Sequence, residues 1–466
     1  MYPMADPLTA GESEAAGKAA RKRTPRSALG DWEAASDRTD PVEILVGQDK
    51  TRVKELVPIR HGRMAASAFT FYRGAAAIMA ADLAAGPDSG LTVQLCGDAH
   101  LSNFGVFAAP DRRLIFDIND FDETHPGPFE WDVKRLAASF AIGGRNLGFR
   151  ESERRAVLAE AAGEYRREMR RLAAMRTLEV WYERMDVDAI ERYRSQMSHK
   201  TAKRYEKQRA KAESKNSMRA FAKLTQSDGG EVRIVSDPPL IVPIAEMFEG
   251  VDAKAIEKRL RDVYSAYVRT LDRDVRQLVE RYRFVDIAHK VVGVGSVGTR
   301  AWILLLLGRD PQDPLFLQAK EAQSSVLEPF TGAGPFKQQG RRVVEGQRLM
   351  QAASDIFLGW TTAKGVDGKE RDFYVRQLWD GKGSAEIERM NPTAMGLYAK
   401  LCGWTLARAH ARSGDRFAIA AYLGKGEAFD RAISDFAEVY ADQNDRDFKE
   451  FTEAISKKRL DAVTGL

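Results

Sequence analysis

Residues 291–320 read VVGVGSVGTRAWILLLLGRDPQDPLFLQAK. The stretch contains a glycine-rich segment and two apolar runs, and a Gly-Arg-Asp-Pro turn separates the two runs. Gly and Pro mark turns, and short apolar runs between turns are typical of buried strands. The stretch therefore predicts three successive strands, the first two joined by a glycine-rich turn.

The glycines of this stretch have the spacing GxGxxG, at residues 293–298. Glycines also mark tight hairpins that bind nothing, and in a dinucleotide-binding fingerprint they must open a helix. An apolar strand follows here, which excludes the dinucleotide fingerprint. The remaining functional interpretation is a hairpin whose N–H groups lie over nucleotide phosphates, with a lysine on the third strand and an acid on the next helix. Both are present, and the candidate nucleotide-binding residues are Gly293, Gly295, Ser296, Gly298, Lys320 and Glu345.

Two loops nearer the N-terminus carry a second set of polar residues. They read CGDAHLSNFG at residues 96–105 and DINDFD at residues 117–122, each at the end of a strand-like run. Asp and Asn often cap turns without any further role. Two carboxylates and an amide on neighbouring strand ends can also gather around one Mg²⁺, with phosphate and water as its other ligands. The candidate residues of these loops are Asp98, Asn103, Asp120 and Asp122.

The composition sets the class of protein. The chain has 466 residues, 44% of them apolar, and 72 Lys and Arg against 67 Asp and Glu, a net charge of +5. This length predicts two or three domains or lobes, and the weak charge does not indicate a nucleic-acid or membrane partner. The longest purely apolar run, residues 301–307, is far shorter than the ~20 residues that span a bilayer. Two cysteines exclude a disulfide scaffold and predict, with no signal peptide evident, a cytoplasmic protein.

Together the motifs resemble the two lobes of the protein-kinase-like fold, closest to its aminoglycoside-phosphotransferase branch. Residues 97–103 are similar to that family's catalytic loop, residues 119–122 to its metal-binding aspartate motif, and residues 128–132 to the segment whose aspartate braces the catalytic loop. The glycine turn, the lysine and the acid after it match the nucleotide lobe. Residues 401–411, LCGWTLARAHA, resemble the helix that leads into the catalytic loop.

The order of these parts differs from the family's order, because here the nucleotide lobe follows the catalytic loop. We infer a circular permutation that opens the chain just before the catalytic strand. The resemblance thus implies an α+β, protein-kinase-like, two-lobed and circularly permuted fold with a helical insertion and a disordered N-terminal tail. The predicted parts are the disordered tail at 1–38, the catalytic-loop and metal-binding part of the C-lobe at 39–150, a helical, partly basic insertion or C-lobe extension at 151–286, the nucleotide-binding N-lobe at 287–385 and C-lobe helices at 386–466.

Taken whole, residues 40–450 also resemble the uncharacterised bacterial family called domain of unknown function 2252. The segments PIRHGRM at 58–64 and FYRG at 71–74 carry this resemblance, together with the loops above. That family supplies no activity. Cys96 stands where the phosphotransferase loop usually has His, and a zinc site made of Cys96 and His100 would lack further ligands.

The kinase-like resemblance implies an ATP- and Mg²⁺-dependent phosphotransferase that acts on an unidentified hydroxyl acceptor, a small molecule or a protein. Asp98 would accept or orient the hydroxyl proton. Asn103 and Asp120 would hold Mg²⁺, with Asp122 as a second acid. Two alternatives stay open on the same fold: a nucleotide-binding regulatory module (a pseudokinase) and a nucleotidyltransferase. In either case the lysine, fixed by the acid on the next helix, would pair with the phosphates.

Two basic features of the sequence each allow two interpretations. Residues 200–223 hold nine Lys or Arg against two acids, which fits a solvated helix face or a docking surface for a phosphate-bearing partner. Few aromatic residues interleave with this charge, so a nucleic-acid partner is not favoured. Arg60, Arg63 and Arg73 fit either an anionic-substrate site or ordinary surface salt bridges.

Overall fold

The structure is a computed structural model that describes residues 8–186, 190, 199–214, 217–228, 231–247, 253–291, 293–365, 367–378 and 381–465. Residues 1–7 of the predicted tail, several short parts of the predicted insertion and Val292 of the glycine-rich turn lie outside the described residues. The described chain mixes helices and strands, which confirms the predicted α+β class.

Along the described chain the helices are interrupted by five groups of strands. They are α1 Ala10–Arg23, α2 Pro41–Asp49, α3 Val57–Met64, α4 Ala68–Gly74, α5 Ala76–Ala84, α6 Phe129–Asn146, α7 Glu151–Ala173, α8 Thr177–Tyr182, α9 His199–Glu213, α10 Ser217–Leu224, α11 Ile244–Met247, α12 Ala253–Val268, α13 Arg273–Val279, α14 Glu328–Thr331, α15 Gln339–Met350, α16 Pro392–Ser413, α17 Arg416–Leu423 and α18 Ala428–Ser456.

The strands are β1 Thr92–Leu95, β2 Phe104–Ala108, β3 Leu114–Ile118, β4 His125–Pro128, β5 Met185–Asp186, β6 Thr225–Asp228, β7 Glu231–Ile234, β8 Ile241–Pro243, β9 Arg283–Lys290, β10 Ala301–Leu307, β11 Pro314–Ala322, β12 Gly359–Lys364, β13 Glu370–Gln377 and β14 Gly383–Ser384. They form a six-stranded antiparallel sheet in the order β12-β13-β11-β10-β9-β8 and a four-stranded antiparallel sheet in the order β14-β2-β3-β5. Two pairs, β1-β4 and β6-β7, are also antiparallel.

The six-stranded sheet contains the three strands predicted around the glycine-rich turn, as neighbours in the order β9-β10-β11. The first strand ends at Lys290, so the glycines all belong to the turn. Alternate residues of β10 enter different apolar clusters: Leu304 and Leu306 pack with residues of α12, and Ile303 and Leu305 with residues of α10. Both faces of β10 are therefore buried, which explains its unbroken apolar run.

The largest apolar cluster lies among α6, α7, α16 and α18. Its aromatic rings include Phe129 and Tyr165, which stack with centroids 6.0 Å apart. Helix α16 packs along α7 and also contacts β1 and β3. This cluster therefore forms the rigid support for the two polar loops that follow those strands. In the described part of the chain, we find no helix of the length and apolarity needed to cross a membrane.

The prediction of a disordered tail is wrong for residues 8–38. Helix α1 begins at a capping box, in which the Thr9 hydroxyl accepts the N–H of Glu12 and the Glu12 carboxylate accepts the N–H of Thr9. Its buried face consists of small residues, and a side chain at Gly17 would clash with the backbone of α17 at Ala418. Small residues allow two helices to approach closely, so α1 is bound without the large apolar groups whose absence predicted disorder.

The contacts of the segment after α1 with the body of the protein include those of one partly buried aromatic ring and one arginine. The Trp32 ring packs edge-on against Tyr440, with centroids 5.1 Å apart. Arg38 forms ion pairs with Asp82 at 2.6 Å and Asp447 at 2.7 Å. Both carboxylates are buried, so residues 24–38 are an integral part of the helical core.

Candidate active site

The loop after β1 is held in place by Asp132, in the first turn of α6. The Asp132 carboxylate accepts the backbone N–H of Cys96 at 2.8 Å and the backbone N–H of Gly97 at 3.0 Å. Gly97 has a φ of +84°, and a Cβ there would clash with the backbone of Glu123. The path of the loop thus depends on one buried carboxylate and one glycine.

A buried chain of polar groups connects Asp132 to the C-terminal helices. The His410 Nε2 lies 3.2 Å from Asp132, and the His410 Nδ1 lies 2.9 Å from the Tyr165 hydroxyl. A few residues earlier on α16, Arg408 forms an ion pair with Asp117 at the end of β3, and both side chains are buried. Helix α16 therefore supports both polar loops from behind.

Asp98 lines the cleft in front of this support. Its Oδ1 accepts a hydrogen bond from the Nε of Arg135 at 2.9 Å and lies 2.8 Å from the Nη2 of the same ion-paired guanidinium, which donates to the Tyr72 carbonyl oxygen. Its Oδ2 lies 3.7 Å from the Nε2 of His100. Burial lowers the pKa of His100 to about 4, so this imidazole is neutral at neutral pH. Its Nδ1 accepts the N–H of Ser102 at 3.2 Å, which is a structural role within the loop.

Asn103 and Asp120 bring the two loops together. The Asn103 amide donates to the Asp98 carbonyl oxygen at 2.8 Å, and the N–H of Asn119 donates to the Asn103 carbonyl oxygen at 3.0 Å. Burial opposes the charged form of Asp120, but the cations Lys320 and Arg376 hold its pKa below the usual range. Asp120 is therefore ionised at neutral pH although it lies in the interior of the cleft.

Lys320 on β11 reaches across from the six-stranded sheet to the aspartate loop, residues 119–124 between β3 and β4. Its ammonium group forms an ion pair with Asp122, and the Tyr374 hydroxyl donates to the other oxygen of Asp122 at 2.7 Å. Burial alone would lower the pKa of Lys320, but the carboxylates of Asp122 and Asp120 raise it above the usual range. The lysine is thus a fully charged, buried group in contact with the predicted metal-binding loop.

Glu345 does not take the predicted position beside Lys320. It lies on the outer side of α15 and pairs with Arg341 at 3.4 Å. The face of α15 that meets the aspartate loop carries Gly346, where a Cβ would clash with Thr124, and Arg342. The spacing of charges placed an acid on this helix, but the helix is rotated so that Arg342 and Gly346 face the loop.

Arg342 replaces the predicted acid as the link between α15 and the site. Its guanidinium donates to the carbonyl oxygens of Asp122 at 2.8 Å, Thr124 at 2.6 Å and Gln323 at 2.7 Å. It therefore fixes the aspartate loop to the end of β11. The sequence offered no signal for this residue, since it is one of two adjacent arginines on a charged helix, RRVVE.

The glycine-rich turn closes over the cleft. Gly293 and Gly298 have positive φ values of +73° and +89°, which favour glycine. A Cβ on Gly295 would lie 3.0 Å from the carbonyl oxygen of Arg73, so the turn lies directly on the C-terminal end of α4. The first and last glycines thus shape the turn, and the middle one allows the close approach.

The segment before α4 holds the turn at both ends. Arg63 donates to the carbonyl oxygen of Gly293 at 2.6 Å, and Arg52 donates to the carbonyl oxygen of Val297 at 2.6 Å. The backbone N–H of Val53 donates to the carbonyl oxygen of Gly298 at 2.8 Å. The turn and the N-terminal helices therefore form one side of the cleft.

The site residues surround two adjoining cavities. A larger cavity of about 1190 Å³ is lined by Asp98, Asn103, Asp120, Asp122, Gly293, Gly295 and Ser296. A smaller cavity of about 610 Å³ is lined by Asp120, Gly293, Ser296, Gln318, Lys320 and Arg376. Asp120 and two residues of the glycine-rich turn border both cavities. Of the predicted catalytic, nucleotide-binding and metal-binding residues, only Gly298 and Glu345 line neither cavity.

Glu123 also lines the larger cavity, although it was not among the predicted site residues. Burial raises its pKa to about 7, and its side chain accepts the N–H of Val326 at 2.8 Å. It follows directly after the aspartate motif, so its position was visible in the sequence. Its burial, which gives it this pKa, was not.

The donor set of the larger cavity fits a metal that brings ligands of its own. In the described ranges, no group of three or more His, Cys, Asp or Glu side chains is arranged to hold a metal ion. Asp120 and Asp122 are neighbours, with the N–H of Asp122 donating to the Asp120 carboxylate at 3.3 Å. One or two carboxylates are what Mg²⁺ takes from a protein when phosphates and water supply the rest. The residues therefore fit Mg²⁺ bound together with a phosphate compound.

Comparison with known proteins identifies a family but no activity. No curated protein and no solved structure shows a significant match to the chain. The model of a family described as "Uncharacterized protein conserved in bacteria (DUF2252)" matches residues 52–454. This range includes all the site residues above. The chain therefore belongs to the DUF2252 family of uncharacterised bacterial proteins.

Proposed function

We propose that this protein is an Mg²⁺-dependent phosphotransferase that moves a phosphoryl group from ATP to a hydroxyl acceptor. The observation that carries the proposal is the contact of Lys320 with Asp122, which joins the six-stranded sheet to the aspartate loop beside Asp98. A buried lysine, an acidic loop and a carboxylate on one cleft are the groups that phosphoryl transfer requires for positioning and charge stabilisation.

The end of α16 supports the proposed kinase-like and permuted arrangement. This helix resembles the one that leads into the catalytic loop of kinases, and it ends at Ser413 beside β1. A Cβ on Gly414 would lie 2.5 Å from the Val93 side chain, and the Ser413 hydroxyl lies 3.5 Å from the Gln94 carbonyl oxygen. A chain joined from α16 to β1 would restore the order of elements in the kinase family.

Asp98 is the proposed base. Arg135 holds one of its oxygens with a hydrogen bond from Nε and an ion-pair contact from Nη2 and thereby fixes the orientation of the carboxylate. The second oxygen is then available to a hydroxyl in the larger cavity, from which it would accept or orient the proton. The brace from Asp132 to the loop keeps this carboxylate at a constant position relative to the aspartate loop.

The groups on the other side of the cleft are proposed to bind the nucleotide phosphates. Asp120, with Asn103 and Asp122, would hold Mg²⁺, which when bound neutralises charge on phosphate oxygens. Lys320 would exchange its contact with Asp122 for the phosphates, and the N–H groups of the glycine-rich turn would lie over them. The low pKa of Asp120 keeps this carboxylate ionised throughout the neutral pH range.

The test is nucleotide turnover by Asp120→Ala, with ATP labelled at either the α or the γ phosphate. We expect wild-type protein to release or transfer the γ label in the presence of Mg²⁺. Asp120→Ala should lose this turnover with an unchanged circular dichroism spectrum, whereas Asp445→Ala, which removes an exposed aspartate, should keep it. Equal turnover by wild type and Asp120→Ala would refute the assignment, and movement of the α label would indicate nucleotidyl transfer instead.

A nucleotide-binding regulatory module is the second candidate. The observation that favours it is that Lys320 is engaged by Asp122 and not by Glu345, which sits apart. Calorimetry with ATP and Mg²⁺, beside the turnover assay, separates the two. Binding without any product would favour the module, and binding with product the enzyme.

A further inference from the structure

The three arginines of the segment at 60–73 have different surroundings. Arg60 is fully buried and donates to Asp49 at 2.8 Å, so it is part of the core. Arg63 donates to the Gly293 carbonyl oxygen and fixes the glycine-rich turn. Arg73, at the end of α4, lines the larger cavity. The salt-bridge interpretation therefore applies to Arg60, and the anion-site interpretation applies to Arg73.

Arg73 has no protein partner in the described part of the chain. Its side chain makes no hydrogen bond and no ion pair there, and its Nε is buried without a partner. The neighbouring Arg135 differs, because both of its contacts to Asp98 are made at hydrogen-bond distance. Arg73 is half-buried beside the larger cavity, and its Nε is shielded from water without an acceptor, so an anion in the cavity would supply the hydrogen bond that the protein does not.

The position of Arg73 identifies which anion. Its carbonyl oxygen lies against the glycine-rich turn at Gly295, and the carboxylates whose charges act on its guanidinium are Asp98, Glu388 and Asp120. Lys320 lines the smaller cavity, and Arg73 does not. Arg73 therefore lies on the Asp98 side of the cleft, where the acceptor hydroxyl must enter.

We propose that Arg73 binds a phosphate or carboxylate group of the acceptor, so that the acceptor is a hydroxyl compound with a negative charge of its own. The identification of the bound anion as the acceptor rests on the proposed function, but the binding of an anion at Arg73 does not. Arginine suits this role because its planar fork matches both oxyanions with two parallel hydrogen bonds. The cleft would then bind two anions, the nucleotide phosphates near Lys320 and the acceptor near Arg73.

The test is a calorimetric titration of the full chain with inorganic phosphate, alone and with saturating Mg·ADP. We expect wild type to bind phosphate under both conditions and Arg73→Gln to bind it at least tenfold more weakly. Arg300→Gln is the matched control, because it removes the same charge from the same cavity but from an arginine already paired with Glu321 at 3.1 Å. Its phosphate affinity should stay within twofold of wild type.

Glycerol 3-phosphate and glycerol then separate an acceptor anion from a general phosphate site. Glycerol 3-phosphate should raise the melting temperature of wild type but not of Arg73→Gln, and glycerol should raise neither. Arg73→Gln should itself melt no lower than wild type, because the charge it removes has no protein partner.

Three results would overturn the proposal. One is equal phosphate affinity in wild type and Arg73→Gln, and another is an equal loss in Arg73→Gln and Arg300→Gln. The third is phosphate binding abolished by Mg·ADP, which would assign Arg73 to the nucleotide. Absence of any Mg·ADP binding would count against the proposed function alone, because the titration without nucleotide still reports on Arg73.

Discussion

Asp132→Asn tests the support of the loop after β1 and leaves every cleft residue unchanged. The carboxylate accepts two backbone N–H groups, one on each oxygen, at 2.8 and 3.0 Å. An asparagine has only one acceptor oxygen, so one N–H loses its partner and faces the NH₂ group instead. The lost charge-assisted bond costs about 1.5–3 kcal/mol and the buried unpaired N–H about 1–3 kcal/mol, which predicts a loss of about 2.5–6 kcal/mol.

Urea unfolding followed by circular dichroism measures this loss. Amide hydrogen exchange at Cys96 and Gly97 locates it, and we expect both amides to be protected in wild type and to exchange faster in the variant. Asp111→Asn, at an exposed turn aspartate, is the control and should change stability by less than about 0.5 kcal/mol. A loss below about 1 kcal/mol for Asp132→Asn, or unchanged exchange at the two amides, would refute the reasoning.

Three further predictions concern Lys320, Glu123 and the N-terminal segment. Lys320→Met should abolish ATP turnover and Glu345→Gln should retain it, measured side by side, because only the lysine contacts the aspartate loop. Stability should fall as the pH rises from about 4.5 to about 7, because Glu123 keeps its proton in the folded protein over this window while the unfolded chain releases it. Glu123→Gln should flatten that part of a melting-temperature profile, and an unchanged slope would contradict the raised pKa. Deletion of residues 1–38 should lower the melting temperature, because it removes the ion pairs of Arg38 and uncovers Tyr440, whereas a disordered tail could be removed without effect.

Parts of the fold that depend on local pattern were predictable from the sequence. The apolar run of β10 and the turn residues around it give the three strands, because both signals lie within one stretch of chain. Asp98 and Asp120 were predictable as neighbours, since each follows a strand and loops at strand ends carry polar groups. Lys320 was selected for its place at the end of a strand, and it does reach the aspartate loop.

The two predictions that were wrong, for Glu345 and for the N-terminal tail, depend on the orientation of helices and on close packing. Glu345 was expected beside the lysine, but a rotation of α15 places Arg342 at the loop, and a single sequence does not fix the rotation of a helix with charges on several sides. The tail was expected to be disordered because large apolar groups are few. Its helix uses Gly17 to approach another backbone closely, and that backbone, at Ala418, is about 400 residues away in the chain.

The support of the first loops by the last helices has a consequence for synthesis of the chain. Asp117 leaves the ribosome 291 positions before its partner Arg408, and Asp132 precedes His410 by 278. At about 5–20 residues per second, roughly 15–60 s pass before these carboxylates meet their partners. The loop after β1 therefore cannot reach its final support until α16 has been synthesised. A polypeptide that stops short of α16 would carry the candidate site residues without the helix that supports the two polar loops.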